Sequence, residues 1–425
     1  MKKRYFLIAC ISCFLFSSFI AKAQNFNAND LDWTEDWTNF SPNRTNYPEA
    51  EEKLPNIIDT HTFLTNDVVY LISGDVYVTN NASLTIQEGT VVRCDYENPA
   101  NLIITKGSKL IAAGSKASPI VFTSAKPPKS RNSGDWGGII IAGSATVNTV
   151  SGGGSIDGDF LPQYSVYGGN YDEEETTVLR YVRIEYPGNQ TKRKQGINGL
   201  SLYALGTSSI IEDVMVSYAG KDSYDIHGGK NNLKNLISYK AVDDDYQVAE
   251  GFRGTFNQIM AVRHPYINSP QGSYALEVDG YNKQTGYIRP NFTTDVTITN
   301  ATFVNLSDKS NYQHTTAAIS IKHSGTAYVN NSKISGFSDI VKFDNTYTSL
   351  AIMKKAFMMD NSFFNIHGTG VEIENTAIKG TQDILKYNRF TKDFVSVNDL
   401  FNDPQNKVSP RFNLKQSLNN YMVMQ

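Results

Sequence analysis

From about residue 57 to residue 390 this chain repeats one short theme: a β-prone run of three to five residues, then Gly, Asn or Asp, then another such run. Comparable runs begin at Leu200 (LSLY), Tyr224 (YDIH), Tyr246 (YQVA), Ala275 (ALEV), Ala318 (AISI), Ile340 (IVKF) and Gly370 (GVEI), at successive gaps of 24, 22, 29, 43, 22 and 30. A companion series, IEDVMVSYAG from Ile211, LKNLISYKAV from Leu233 and FNQIMAVRHP from Phe256, steps by 22 and 23. Runs that alternate Val, Ile, Thr, Tyr and Phe between turn residues read as strands. No stretch holds apolar residues at i, i+3, i+4 and i+7 over three turns, which argues against long helices. A period near 22 is too short for a propeller blade, and the Leu-x-x-Leu-x-Leu consensus of leucine-rich repeats is missing. What fits is an all-β solenoid whose coils give two or three strands each to parallel sheets and stack at the ordinary ~4.8 Å strand spacing. The gap of 43 is then a double step or one coil carrying an insertion around 281–291.

The earlier part of the chain fits the same scheme. Gly74–Val92 alternates with turns at Asn80-Asn81 and Glu88-Gly89, and Leu102–Ile104, Lys109–Ala112, Ile120–Thr123 and Gly137–Ala142 follow as strands. Residues 24–56, polar and holding Trp33 and Trp37, are expected to form a strap or cap over the first coil. Ser151–Phe160 and Tyr167–Glu175 read as one long loop region protruding between coils. From Thr391 to Gln425 the rhythm is lost, and a C-terminal cap with a short helix at Phe394–Phe401 is expected, because a solenoid must block further strand addition at its ends.

The first 23 residues have the form of an export signal. Lys2, Lys3 and Arg4 precede an apolar run from Tyr5 to Ile20, and Ala21-Lys22-Ala23 supplies the small-x-small pattern before Gln24. Leu7-Ile8-Ala9-Cys10 has the shape of a lipidation signal, but on a short apolar stretch. Loss of Lys2, Lys3, Arg4 and Lys22 takes 39 basic residues to 35 against 42 acidic, a balance of −7, which argues against a partner bound through phosphate neutralisation. With 12% aromatic residues the chain is not a disordered one. Cys10 and Cys13 leave with the signal, so Cys94 has no partner for an intramolecular disulfide. A large core or a repeated ladder must supply stability instead.

LTIQEGTVV (84–92), LIITKGSKLIAAGSKASPIVFTS (102–124), GDWGGIIIAG (134–143) and YDIHGGKNNLKNLISYKAVDDDYQVAEGFRG (224–254) resemble segments of exported bacterial right-handed parallel β-helix proteins of pectate-lyase-like architecture. The resemblance covers roughly residues 57–390. It implies a right-handed parallel β-helix and export, and it implies no particular activity.

The sharpest chemical constellation is acidic: Asp222 and Asp225 in one coil, Asp243, Asp244 and Asp245 at the turn into the next, then Glu250, Glu277 and Asp279. Stacking places His227-Gly228, Glu250-Gly251 and Asp279-Gly280 in one corner column. Carboxylates that close repel one another, raising their pKa or recruiting a cation, and Ca²⁺ accepts six to eight oxygens. Asp243, Asp244, Asp245, Glu250 and Asp279 are therefore candidate calcium ligands. The alternative is that these residues only cap turns. For cleavage of a polysaccharide the candidates are Glu250, Arg253 and Asp279, with Arg253 open to simple salt-bridge pairing. Trp136, Tyr167, Tyr171 and Tyr281 are candidates for stacking on sugar rings. There is no G-x-S-x-G, H-E-x-x-H or Walker A motif and no second C-x-x-C to pair with Cys10–Cys13, and the six histidines are scattered. The expectation is an exported monomer, in the periplasm, at the outer membrane or outside the cell. It would bind an extracellular polysaccharide or a cell-surface component, with lyase or glycoside hydrolase activity as the alternative.

Overall fold

A computed structural model describes residues 33–189, 196–266, 269, 272–283, 292–311, 315–374 and 377–415; the export signal expected at 1–23 lies outside them. The strands coil from Glu52–Lys53 to Arg389–Thr391 as a right-handed parallel β-helix. Eleven short strands, from Ile57–Ile58 to Val371–Ile373, form sheet 1. Nineteen of the remaining described strands form two flanks of one bent sheet. They stay joined because Thr177–Glu185, Ile210–Ser217 and Asn232–Tyr239 run around the corner between the flanks. The first of these flanks, sheet 2, holds strands such as Asp295–Thr299; the second, sheet 3, holds strands such as Thr302–Asn305.

That corner is a ladder of left-handed residues. Tyr181, Asp213, Asn235, Gln258, Asn300, Asn331 and Asn361 all have φ between 48° and 61°, and the strand register stacks them coil upon coil. Asn tolerates this conformation better than most residues, because its short side chain can hydrogen-bond locally. Here the side chains bond between coils: Asn235 Nδ2 donates to Asp213 Oδ1 (2.9 Å), Asn300 Nδ2 to Asn257 Oδ1 (2.8 Å) and Asn331 Nδ2 to Asn300 Oδ1 (2.6 Å).

Period-two alternation fills the interior. In sheet 1 the inward pairs are Val76/Val78, Leu102/Ile104, Ile139/Ile141, Leu200/Leu202, Tyr224/Ile226, Tyr246/Val248, Leu276/Val278, Ile319/Ile321 and Val341/Phe343, all buried. The Tyr224 and Tyr246 rings stack 4.9 Å apart. Their hydroxyls donate to the Val214 and Met260 carbonyls (2.7 and 2.8 Å), so neither of these two buried O–H groups is wasted.

The register, Leu200↔Tyr224↔Tyr246↔Leu276↔Ile319↔Val341↔Val371, corrects the sequence alignment by one residue from Ala275 onward. Leu276, not Ala275, matches the inward Tyr246. The pairing of Leu276 with Ile319 shows that the gap of 43 is one step. Part of its extra length, 284–291, lies outside the described residues.

Two of the three outer flanks are covered. Residues 33–50 do not cap the first coil but lie along sheet 3. There Trp37 and Phe40 pack with Met215, Ile237, Tyr239, Met260 and Val262 in a second core. The C-terminal segment joins it: helix Val397–Leu400 leads into an antiparallel hairpin of Phe401–Asp403 with Arg411–Leu414. Phe412 meets Phe40 at 4.8 Å, and Asn413 Nδ2 donates to Glu35 Oε1 (3.1 Å). The reason is packing, since this flank exposes apolar side chains that the coils cannot bury. A cavity of about 400 Å³, lined among others by Glu35, Asn39, Arg411 and Asn413, lies between the two terminal segments. Buried Arg93 donates to the carbonyls of Tyr47, Pro48 and Ala125, and Arg131 to those of Pro42 and Thr45, fastening the strap.

The loop region at 144–175 does not protrude either. It folds onto sheet 1 as a flap, burying Val147, Ile156, Phe160 and Tyr167 against Tyr77, Ile103, Ile140, Ala142 and Tyr203. Cys94 is buried and free. Among the described residues no helix is long and apolar enough to cross a membrane.

Candidate functional site

Outward residues of sheet 1 form two columns along the axis. One runs Tyr77, Ile103, Ile140, Ser201, Asp225, Gln247, Glu277, Ser320, Lys342, Glu372; the other runs Ala142, Tyr203, His227, Ala249, Asp279, Lys322, Asp344. The early members are apolar or aromatic and lie under the flap. From Asp225 onward most are ionisable, which marks a polar floor over the C-terminal half of the sheet.

One wall of this floor is a strut, residues 145–148, that runs along the axis across successive coils. Ala145 N donates to Ala204 O (2.9 Å), Gly229 N to Thr146 O (2.9 Å), Asn148 N to Glu250 O (2.9 Å) and Asn148 Nδ2 to Gly280 O (2.8 Å). The strut passes so close that a Cβ on Gly228 would come within 2.3 Å of Val147, and one on Gly251 within 2.8 Å of Asn148. The glycines of the His-Gly and Glu-Gly pairs are there to let it pass.

At the flap's edge His227 lies between two carboxylates. Its Nε2 is 2.8 Å from Asp225 Oδ1 and its Nδ1 3.6 Å from Glu250 Oε2. The Tyr203 ring stacks on the imidazole at 4.5 Å, Tyr167 donates its hydroxyl to Glu250 Oε2 (2.6 Å), and Asn198 Nδ2 donates to Asp225 Oδ2 (2.7 Å). Burial opposes charge on His227, but Asp225 and Glu250 outweigh it and hold its pKa well above the usual histidine value. Burial would likewise raise both acids, yet the His227 charge overrides it and leaves Asp225 and Glu250 below the ordinary carboxylate range. The cluster is an imidazolium with two carboxylates and a tyrosine hydroxyl.

A second group sits at the strand starts. Asp222 N donates to Asn198 Oδ1 (3.3 Å), Asp244 N to Asp222 Oδ1 (3.0 Å) and Tyr274 N to Asp244 Oδ1 (2.6 Å). Each carboxyl or amide thus caps the backbone of the next coil. Asp222, Asp243 and Asp244 also bring one carboxylate oxygen each to within 4.8 Å of the others. Burial, first, and the neighbouring acids raise the Asp222 pKa to about 8 and that of Asp244 well above its usual value. Three hard oxygen donors, each with its pKa raised chiefly by burial, fit the chemistry of a bound Ca²⁺, although Lys221 Nζ already stands 3.7 Å from Asp222.

The five acids grouped from the sequence as calcium ligands separate. Asp243 and Asp244 come together with Asp222. Asp245, at the strand start, turns to the interior, where it pairs with Arg263 at 2.6 Å and accepts from Ser238. Glu250 faces His227 and Tyr167. Asp279 pairs with His323 at 2.7 Å, whose other nitrogen is 3.6 Å from Asp344. Glu250 stands level with Gly228 and Gly280, one residue past His227 and Asp279, so the expected corner column is offset by one. Arg253 is exposed and lies over the Phe292 ring at 4.9 Å, not against Glu250 in any described contact.

Of the aromatic candidates, Trp136 is corrected: it is fully buried in the core, its indole N–H given to the Glu185 carbonyl (2.8 Å), and it offers no face to a sugar. Tyr167 is buried within the His227 cluster, Tyr171 is exposed on the flap, and Tyr281 lies 5.5 Å from the His323 ring. Asn198, Lys322, His323 and Asp344 were not singled out from the sequence. Asn198 could have been found, since it precedes Asp222 by one coil length.

A family described as pectate-lyase like beta helix domain matches residues 56–400. Among solved structures, the catalytic unit of the thermostable GH87 alpha-1,3-glucanase from Streptomyces thermodiastaticus strain HF3-3 is similar at 12% identity over 82% of this chain and 70% of that one, with a TM-score of 0.37. The pectate lyase Pel9A is similar at 12% identity over 87% and 90%, with a TM-score of 0.36. No curated protein matches. With the coils, their register and the family match over most of its length, the chain belongs to the pectate-lyase-like β-helix family.

Proposed function

We propose that this protein is an exported β-helix that binds a glycan or cell-surface polymer lengthwise on the C-terminal half of sheet 1. The observation that carries this reading is the strip of outward polar side chains, Asp225, Gln247, Glu277, Ser320, Lys342 and Glu372, which advances one coil at a time beside the strut. The cations of this floor are already neutralised: Lys322 pairs with Glu277, Lys342 with Glu372, His227 with Asp225 and His323 with Asp279. A neutral or amine-bearing glycan meets acceptors here without an electrostatic penalty, whereas a polyuronate needs a bridging cation. Ca²⁺ at Asp222, Asp243 and Asp244 is the proposed bridge.

A second reading, a polysaccharide lyase or glycoside hydrolase, is favoured by Glu250, a carboxylate kept ionised beside a tyrosine hydroxyl and an imidazolium. In that reading Glu250 acts on the ligand, and Arg253 and Asp279 flank it.

Calorimetric titration of the purified chain with neutral, amine-bearing and uronate polysaccharides, each with Ca²⁺ or EDTA, tests both. Binding of at least one glycan, without new reducing ends or unsaturated products, is the expected result. Product formation that Glu250→Gln abolishes would replace it with the second reading, and silence across the panel would remove both.

A further inference from the structure

We propose that the protein recognises the end of a glycan chain, with the flap at 144–175 acting as the wall against which the terminal sugar stops. This rests on the glycan-binding reading and adds the mode of recognition to it. The floor of sheet 1 is continuous in backbone but not in surface. Tyr77, Ile103, Ile140 and Ala142 are each 3% exposed or less under Val147, Ile156 and Phe160. Beyond Tyr203 the outward positions become polar; Asp225 is still only 2% exposed, and the floor opens from Gln247 onward, where Gln247, Asp279, Lys322, Lys342 and Glu372 are partly exposed. A polymer laid along the axis can therefore extend toward the C-terminal coils and not past the flap.

The flap is a wall and not a lid, because its fastenings are many and mostly shielded. Leu161 N donates to the Tyr77 hydroxyl (3.2 Å), and Lys106 Nζ donates to the Gly168 carbonyl. Thr146 N donates to Asp172 Oδ1 (2.9 Å), and Lys230 pairs with the other oxygen of Asp172 at 2.6 Å. Lifting it would expose the apolar face of Ile103 and Ile140 to water and break these bonds together. The sequence carries the same boundary, since isoleucines at those outward positions suit a covered surface and would be out of place on an open one. At the wall Tyr167 and Glu250 are buried and bonded to each other, and His227 keeps a partly exposed edge beside them.

The test is binding stoichiometry against chain length. Short, intermediate and long size-fractions of a glycan that binds are titrated calorimetrically into the wild-type protein, with a borohydride-reduced set alongside to tell the reducing end from the other. One protein per glycan chain at every length is the expected result. Protein bound per chain that rises in proportion to length would overturn the inference and leave the glycan-binding function standing. Failure to bind any glycan would sink that function and this inference with it. A variant with residues 151–165 replaced by a short Gly-Ser link is expected to shift toward length-proportional binding. If it keeps the wild-type circular dichroism and still binds one per chain, the wall is not the flap.

Discussion

Asp222 shows what a single buried carboxyl does to this protein. Its pKa in the folded chain is about 8, against the ordinary 3.8 when unfolded. The folded state therefore holds a proton that the unfolded state releases. The stability this supplies is complete below the ordinary value and is lost as pH rises toward and through about 8. Asp244, shifted in the same direction, and His227, whose charge is kept to high pH, both add to the loss on the alkaline side. The melting temperature is expected to fall between about pH 5 and about pH 8, within the span of the two Asp222 values, and Asp222→Asn is expected to flatten that slope. A variant as pH-sensitive as wild type would assign the titration elsewhere. Ca²⁺ bound at Asp222, Asp243 and Asp244 would lower these pKa values, so adding it should raise the alkaline melting temperature more in wild type than in Asp244→Asn. Arg93 is a different case: it is fully buried with four described backbone carbonyl acceptors. Arg93→Ala strands those carbonyls and is expected to cost about 2–4 kcal/mol in urea unfolding, with faster proteolysis of residues 33–50.

At the scale of the element, the left-handed corner ladder sets what each coil can tolerate. Asn235→Ala loses the bond to Asp213 and puts an alanine at φ 55°, for an expected cost of about 1–2 kcal/mol. Asn235→Gly keeps the backbone at ease and should recover most of it; equal losses in chemical denaturation would deny the backbone share. The coils themselves were legible in the sequence, because an inward apolar pair must return once per turn and leaves a period. Their exact register was less so. Ala275 is apolar and short, and it reads as the partner of Tyr246 until the larger Leu276 is seen to fill that level. A slip of one residue exchanges inside for outside; Asp245, ahead of that slip, points inward at the strand start for a different reason, its pairing with buried Arg263. Where the coverings pack was not legible. Ile156, Phe160 and Tyr167 sit singly in a Gly-rich stretch with no local period to reveal where they pack, and the meeting of Phe40 with Phe412 joins residues from opposite ends of the chain.

For the molecule as a whole, that meeting changes the character of a solenoid. Repeat arrays contact only their neighbours and can unfold piecemeal. Here Trp37 and Phe40 bind the flank of the middle coils to the hairpin at Phe401–Leu414, so loosening either end disturbs the same core. Wild type is expected to melt in one calorimetric transition. Removal of everything after Lys392 uncovers Met215, Tyr239, Met260 and Val262, and should split the transition and raise binding of a hydrophobic dye. A truncated chain that still melts as one unit would show that the coils are cooperative without the clasp. The closure also dictates how the protein would bear mechanical load. Because the strap at 33–50 and the hairpin at Phe401–Leu414 meet on one flank, tension applied between those two segments is taken up first by a strap sliding against a hairpin. The stacked turns are spared until that contact has sheared.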